Sequence, residues 1–222
     1  MDLYDAMRCA PTTRRFKPDP VPPEALARAL DAARFAPSGG NRQGWRVVVV
    51  RDSERRAALR DLYLPGWRAY MEQTGGAAVL ADPGSFDQAI VRRVQGANEY
   101  AERLDQVPVH LVVGVRLSDL AVTDANLPRQ SIVGGASIYP FVQNLLLGLR
   151  AEGLGAALTT LLVPAEAQVR RLLEIPEEIA LAAHVGVGYR AEPWPAHLAR
   201  RPVSEFAFAE RWGQRLAGVS PS

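Results

Sequence analysis

Residues 138–162 read IYPFVQNLLLGLRAEGLGAALTTLL, and this stretch decides the fold class. Val142, Leu145, Leu146 and Leu149 recur at i, i+3, i+4 and i+7, the spacing of one helical face. Phe141 and Leu147 spread apolar surface further round, so the helix predicted over Ile138–Glu152 is buried on several sides. Gly153 follows at the place where a helix end turns left-handed. Ala156 to Leu162 then reads as a strand. A buried helix, a glycine stop and a strand in close succession call for a fold that mixes both element types.

Working outward, three more runs read as strands: Trp45–Arg51 (WRVVVVR), Pro108–Arg116 and Ile179–Tyr189. Residues 2–10 form a short predicted helix. A second helix opens at Pro23-Glu24, with Leu26, Ala29, Leu30 and Ala33 on one face, and runs to about Ala36. Further helices are predicted over 53–63, 66–73 and 86–103, and from Pro164 to before Pro176. Residues 117–133 read as irregular loop. The fold class is therefore α+β: a central mixed or antiparallel sheet of four or five strands covered by helices, in one domain over 1–222. The last thirty or so residues have no compact pattern yet contain Trp194, Phe206, Phe208 and Trp212. So aromatic a tail is expected to pack on something, a second subunit being one candidate.

Composition excludes several classes. The chain has 222 residues with 48% apolar and 23% charged, ordinary globular values that exclude a disordered chain. No apolar run approaches the ~20 residues of a membrane span, and the first sixteen residues lack the apolar core of a signal peptide. A cytoplasmic protein without a membrane partner is expected. The net charge of +2 is too balanced for a dedicated nucleic-acid binder. Cys9 is the only cysteine, and His110, His184 and His197 show no metal-ligand spacing, so no metal site is predicted. The histidines read as packed or edge-strand residues. No phosphate loop, GxGxxG, GxSxG or HExxH motif is present.

Four short segments remain. Thr12-Thr13-Arg14-Arg15-Phe16 puts two hydroxyls and two guanidinium groups at a helix-to-loop junction, which suits an anion and equally a solvated basic turn. Pro37-Ser38-Gly39-Gly40-Asn41-Arg42-Gln43 joins a helix to the first strand; its glycines admit a flat ligand, and Ser38, Asn41 and Gln43 carry hydrogen-bonding groups. It also reads as an ordinary turn. The third is Glu152–Leu161, and the fourth is Arg200-Arg201-Pro202.

In this order and spacing the four segments resemble the FMN-dependent nitroreductase superfamily. Beside its patterns RRSxRxFxxxPV, APSxxNxQPW, N-LL-A…A-GLG and RxP this chain offers TTRRFKPDPVP, APSGGNRQGW, QNLLLGLRAEGLG and RRP, with Gly44 in place of the usual proline before Trp45. The resemblance implies a three-layer, intertwined homodimer with FMN at the subunit interface. It assigns Thr12, Arg14 and Arg15 to the flavin, with Arg14 near the N1 and O2 edge as the catalytic electrostatic residue. Arg200 falls on the flavin phosphate, and Pro37, Ser38, Gly39, Asn41 and Gln43 on the loop reaching the ring from the partner subunit. Thr160, Leu161 and Leu162 fall where backbone groups face the ring. Ala10 and Pro11 stand where the family carries basic residues, with Arg8 and Arg15 as the available substitutes.

The activity so implied is transfer of hydride from NADH or NADPH to the flavin, then of electrons to a nitroaromatic, quinone or similar small acceptor, in a ping-pong cycle. The flavin carries most of that chemistry, which accounts for the lack of a catalytic triad. Segment 64–105, with Trp67, Tyr70, Phe86 and Tyr100, is the expected helical cover over the substrate. The alternatives are another flavin reaction, such as an oxidase or dehalogenase, and a protein that only binds flavin.

Overall fold

A computed structural model describes residues 1–219. The four strands are β1 (Trp45–Val50), β2 (Val109–Arg116), β3 (Leu154–Thr159) and β4 (Ile179–Tyr189). They form one sheet in the order β1-β2-β4-β3, every pair antiparallel, so β2 and β4 are central. The predicted sheet is thus realised in its four-stranded, antiparallel form. The expected strand Ala156–Leu162 lies earlier, because Leu154 already pairs with Tyr189 directly after the Gly153 turn. It ends at Thr159, whose Oγ1 accepts from the Leu161 amide at 3.2 Å and diverts the chain into a turn.

Helices cover both faces. On one side α2 (Pro23–Ala33) and α6 (Tyr139–Ala151) pack together over the sheet, with Ala29, Ala33, Leu145 and Leu149 fully buried. Gly148 permits this approach: a Cβ there would lie 3.1 Å from the Ala29 backbone. The alternating residues Val109, Leu111, Val113 and Val115 of β2 supply the facing half of this core.

The opposite core belongs to α3 (Ser53–Gln73), α5 (Gln88–Glu102) and α7 (Glu166–Leu173). The two helices predicted over 53–63 and 66–73 are one continuous helix despite Pro65. Leu59, Tyr63, Trp67 and Met71, four residues apart, line its buried side. Their burial outweighs the hydrogen bond that proline removes. A short α4 (Gly76–Ala81) and α1 (Leu3–Cys9) complete the helices among the described residues; α4 was not predicted.

His110 and His184 are central-strand residues, not edge ones, and they face each other: His110 Nδ1 lies 2.8 Å from His184 Nε2. Both are buried and stacked, with ring centroids 5.0 Å apart. Burial first, then the Arg56 charge, lowers the His110 pKa to about 4; burial first, then His110, lowers that of His184 well below the usual value.

The segment after β4 is irregular: it carries a short turn at Val203–Glu205 and folds back on itself where Phe208 and Arg215 form an antiparallel bridge. Trp194 packs back on α6, whereas Trp212 is 91% exposed in the single chain. The expected tail reaches 222, and its last three residues lie outside the described ones.

Candidate active site

The first motif runs along the free edge of the sheet. Thr12 forms a parallel bridge with Ala156, and the Thr13 amide donates to the Ala156 carbonyl at 2.8 Å. The segment then crosses to the end of β4, where the Lys17 amide donates to the Tyr189 carbonyl at 2.8 Å. Gly155 makes the close approach possible, since any side chain there would meet Thr13. Thr13 is buried, and alternation leaves Thr12 and Arg14 exposed on the other side.

Thr12 and Arg14 open onto a cavity of about 370 Å³ with Leu158, Thr160 and Leu161. Its far wall comes from Tyr63, Trp67 and Tyr70 of α3 and Ala97 and Tyr100 of α5. The expected cover aromatics Trp67, Tyr70 and Tyr100 therefore do line this space. Phe86 does not; it sits in the turn before α5. Tyr63 Oη lies 3.4 Å from Thr159 Oγ1, and the Trp67 indole donates to Asn98 Oδ1 at 2.8 Å, tying α3 to α5. Burial raises the Tyr63 pKa, so its hydroxyl stays protonated at neutral pH. Gly66 brings α3 against the 160s turn: a Cβ there would lie 2.9 Å from the Leu161 carbonyl oxygen.

Thr12 also belongs to a second space of about 480 Å³, lined by Ala10, Pro11, Arg150, Trp194 and Arg200. Arg150 and Trp194 were not anticipated; the first reads as one helix residue among apolar ones, the second as one more tail aromatic. A third space, about 580 Å³, adds Arg92, Arg93 and Arg190 beside Arg14 and Arg15. Arg15 itself is engaged by Glu99 at 3.1 Å and Glu192 at 3.7 Å. Arg8 lies 5.8 Å from the Tyr4 ring centroid. Neither Arg8 nor Arg15 lines the space that holds Arg200.

The remaining expected residues divide. Thr160 and Leu161 line the cavity, while the buried Leu162 packs into the core beneath. Pro37, Ser38, Gly39, Asn41 and Gln43 line none of these three spaces within one chain. Their loop is nonetheless tightly built. Gly39 donates to Ser137 Oγ at 3.0 Å, the Gln43 amide to Ser38 Oγ at 3.0 Å, and Gln43 Nε2 to Asn41 Oδ1 at 3.1 Å. Asn41 and Gln43 hold φ of 53° and 51°, a left-handed conformation that costs non-glycine residues free energy and clusters at functional sites.

An antiparallel sheet between two helical layers, with an arginine-rich cleft along its edge strand and an aromatic helical wall above, defines an α+β protein whose open spaces gather at one sheet edge. The chain belongs to the nitroreductase family, whose model matches residues 11–189. It is 34% identical over 190 residues to an NADH dehydrogenase of Thermus thermophilus, covering 83% of this chain and 85% of that one. It is 30% identical over 186 residues to a 5,6-dimethylbenzimidazole synthase of Rhodospirillum rubrum, covering 82% and 79%. Its fold matches a crystal structure of oxidized iodotyrosine deiodinase bound to FMN and 3-iodo-L-tyrosine, with a TM-score of 0.68 and 24% identity over 94% of this chain and all of that one.

Among the described residues, no three His, Cys, Asp or Glu side chains gather as a metal site would need, and no helix is long and apolar enough to cross a membrane.

Proposed function

We propose that this chain is an FMN-dependent oxidoreductase of the cytoplasm that draws reducing equivalents from NADH or NADPH. It passes them to a nitroaromatic, quinone or similar flat acceptor in a ping-pong cycle. The observation that carries the reading is the convergence of Thr12, Arg14 and residues 158–161 on one cavity roofed by aromatic helix residues.

The residues present fit the cofactor. Leu158 is 41% exposed on the edge strand, an apolar floor for a ring system. Arg14 has no ion-pair or hydrogen-bond partner among the described residues, so its charge is available to a ligand. FMN, when bound, supplies the site that accepts a hydride and later releases electrons. Arg14 would hold the flavin and offset negative charge on it, and Thr12 would offer it a hydroxyl. Trp67 and Tyr100, buried in the wall, exclude water, and the exposed Tyr70 presents a ring on which an aromatic acceptor stacks. Acid–base side chains are not required at the reacting atoms.

The strained loop Ser38–Gln43 and the exposed Phe35, Ile132 and Trp212 support a homodimer in which this loop completes the cleft of the other subunit. Light scattering then gives twice the chain mass; a monomer that binds FMN fully argues against it.

The deciding experiment is an absorption spectrum followed by anaerobic addition of NADH, then NADPH. Flavin bands bleached by one nucleotide support the reading; bands that neither nucleotide bleaches sink the nicotinamide step. A second reading, another flavin reaction such as an oxidase or dehalogenase, draws on the deiodinase and synthase names among the similar proteins. Substrate-dependent oxygen uptake without nicotinamide favours it.

A further inference from the structure

We propose that Arg150, carried on the last turn of α6, recognises the phosphate monoester of the flavin and makes this chain select FMN over unphosphorylated flavin. The inference rests on the flavin reading above and names the specificity-determining residue at its phosphate end. Within the described residues, the space holding Arg200 receives no charge from Ala10 or Pro11. Arg15 is spent on Glu99 and Glu192, and Arg8 stacks near Tyr4 outside that space.

Arg150 does line it, and its environment is unusual for a cation. It is only 9% exposed, yet no carboxylate partners it among the described residues. Its Nε donates to the Cys9 carbonyl at 3.4 Å and its Nη2 to Cys9 Sγ at 3.3 Å. The Trp194 ring centroid lies 3.8 Å from its Cζ. Nη1 has no hydrogen-bond partner in the described residues. A buried guanidinium without an anion is unfavourable, so the protein has built a charge that a ligand must complete.

The surroundings also aim it. Cys9 holds one edge of the guanidinium and the indole holds one face, leaving the planar fork little rotational freedom. A fork fixed before binding loses little entropy when it grips phosphate oxygens. Trp194 belongs to the same tail as Arg200, so the Arg150–Trp194 stack anchors the tail from which the second cation reaches this space.

The test is titration of flavin-free protein with FMN and with riboflavin, read by flavin fluorescence. The wild-type chain is expected to bind FMN more tightly. In Arg150→Met, FMN affinity falls roughly ten- to a hundredfold, the range for a lost hydrogen bond to a charged group, while riboflavin affinity stays within about twofold. Adding Ala10→Arg to that variant returns a charge to the same space and recovers part of the FMN preference. Equal weakening of both flavins would mean that Arg150 only pins the tail, and overturns the proposal; so does an unchanged FMN-to-riboflavin ratio. Should Arg150→Met fail to fold, Arg150→Lys keeps the stem and one charge, and a loss confined to FMN carries the same meaning. A wild-type chain that binds neither flavin removes the flavin reading itself, and this inference with it.

Discussion

Gly155 and Thr13 meet so closely that no side chain fits between them. A Cβ on Gly155 would lie 2.6 Å from Thr13 Oγ1 and 2.8 Å from its Cβ and Cγ2. The contact holds the Thr12–Arg14 segment against β3 and so sets the cleft. Gly155→Val is expected to cost about 1–3 kcal/mol through overpacking and to displace this segment. Thermal unfolding measures the first effect and flavin retained through gel filtration the second. A variant as stable and as yellow as the parent would refute the role given to this contact.

Arg14 tests the electrostatic part of the proposed cycle. Arg14→Met should slow anaerobic bleaching of bound flavin by the nicotinamide roughly a hundredfold, the scale of removing one preorganised charge-stabilising group. Arg14→Lys should recover part of the rate. Stopped-flow absorbance gives both numbers, and an unchanged Met variant would move the role elsewhere.

The buried histidine pair gives the stability a pH dependence. His110 titrates at about 4 in the folded chain and His184 well below its usual value, whereas both titrate near 6.5 when unfolded. The unfolded chain therefore binds more protons as pH falls below about 6.5. The stability is complete above that pH and is lost as pH drops toward 4, by up to about 1.4 kcal/mol per pH unit for each histidine. Asp124 adds a separate, more acidic step: the Ile132 amide and the Ser131 hydroxyl lower its pKa to about 2. Denaturant melts from pH 7 to 5 should show the histidine slope, and the double variant His110→Leu/His184→Leu should flatten it. Equal slopes in the two proteins would rule the pair out as its source.

Leu149 is fully buried between α6 and the sheet. Leu149→Ala should cost about 2–5 kcal/mol, with the higher values if no neighbour collapses into the cavity. Leu149→Met should cost less than about 1.5 kcal/mol. Urea midpoints decide this, and a cost under 1 kcal/mol for the alanine would mean that the helix repacks.

Much of the architecture was legible because periodicity reports burial. The face Leu26, Ala29, Leu30 and Ala33, the central strands and the Gly153 stop all stand where the residue pattern puts them. What escaped depends on contacts distant in sequence. Pro65 signals a break locally, but the burial of Tyr63, Trp67 and Met71 carries α3 through it. Thr159 closes β3 by a side-chain bond that no alternation pattern contains. The two histidines are 74 residues apart and meet only through strand register. Of the residues that line the candidate cavity, Thr12, Arg14, Thr160 and Leu161 stand out in the chain by their motifs. Arg150 does not, because its significance lies in what fails to accompany it: a carboxylate.

The glycines beneath the cleft have an evolutionary consequence. Gly155 is pressed by Thr13, while Gly186 and Gly188 are pressed by Tyr100 and Phe16, and every single-base replacement of a glycine adds atoms. The floor is therefore nearly closed to drift. The roof is open: Tyr70 and Ala97 face the cavity from helices whose other sides do the packing. New acceptors should be won by diversifying those roof positions, and a laboratory library that leaves the strands untouched would keep most of its members folded.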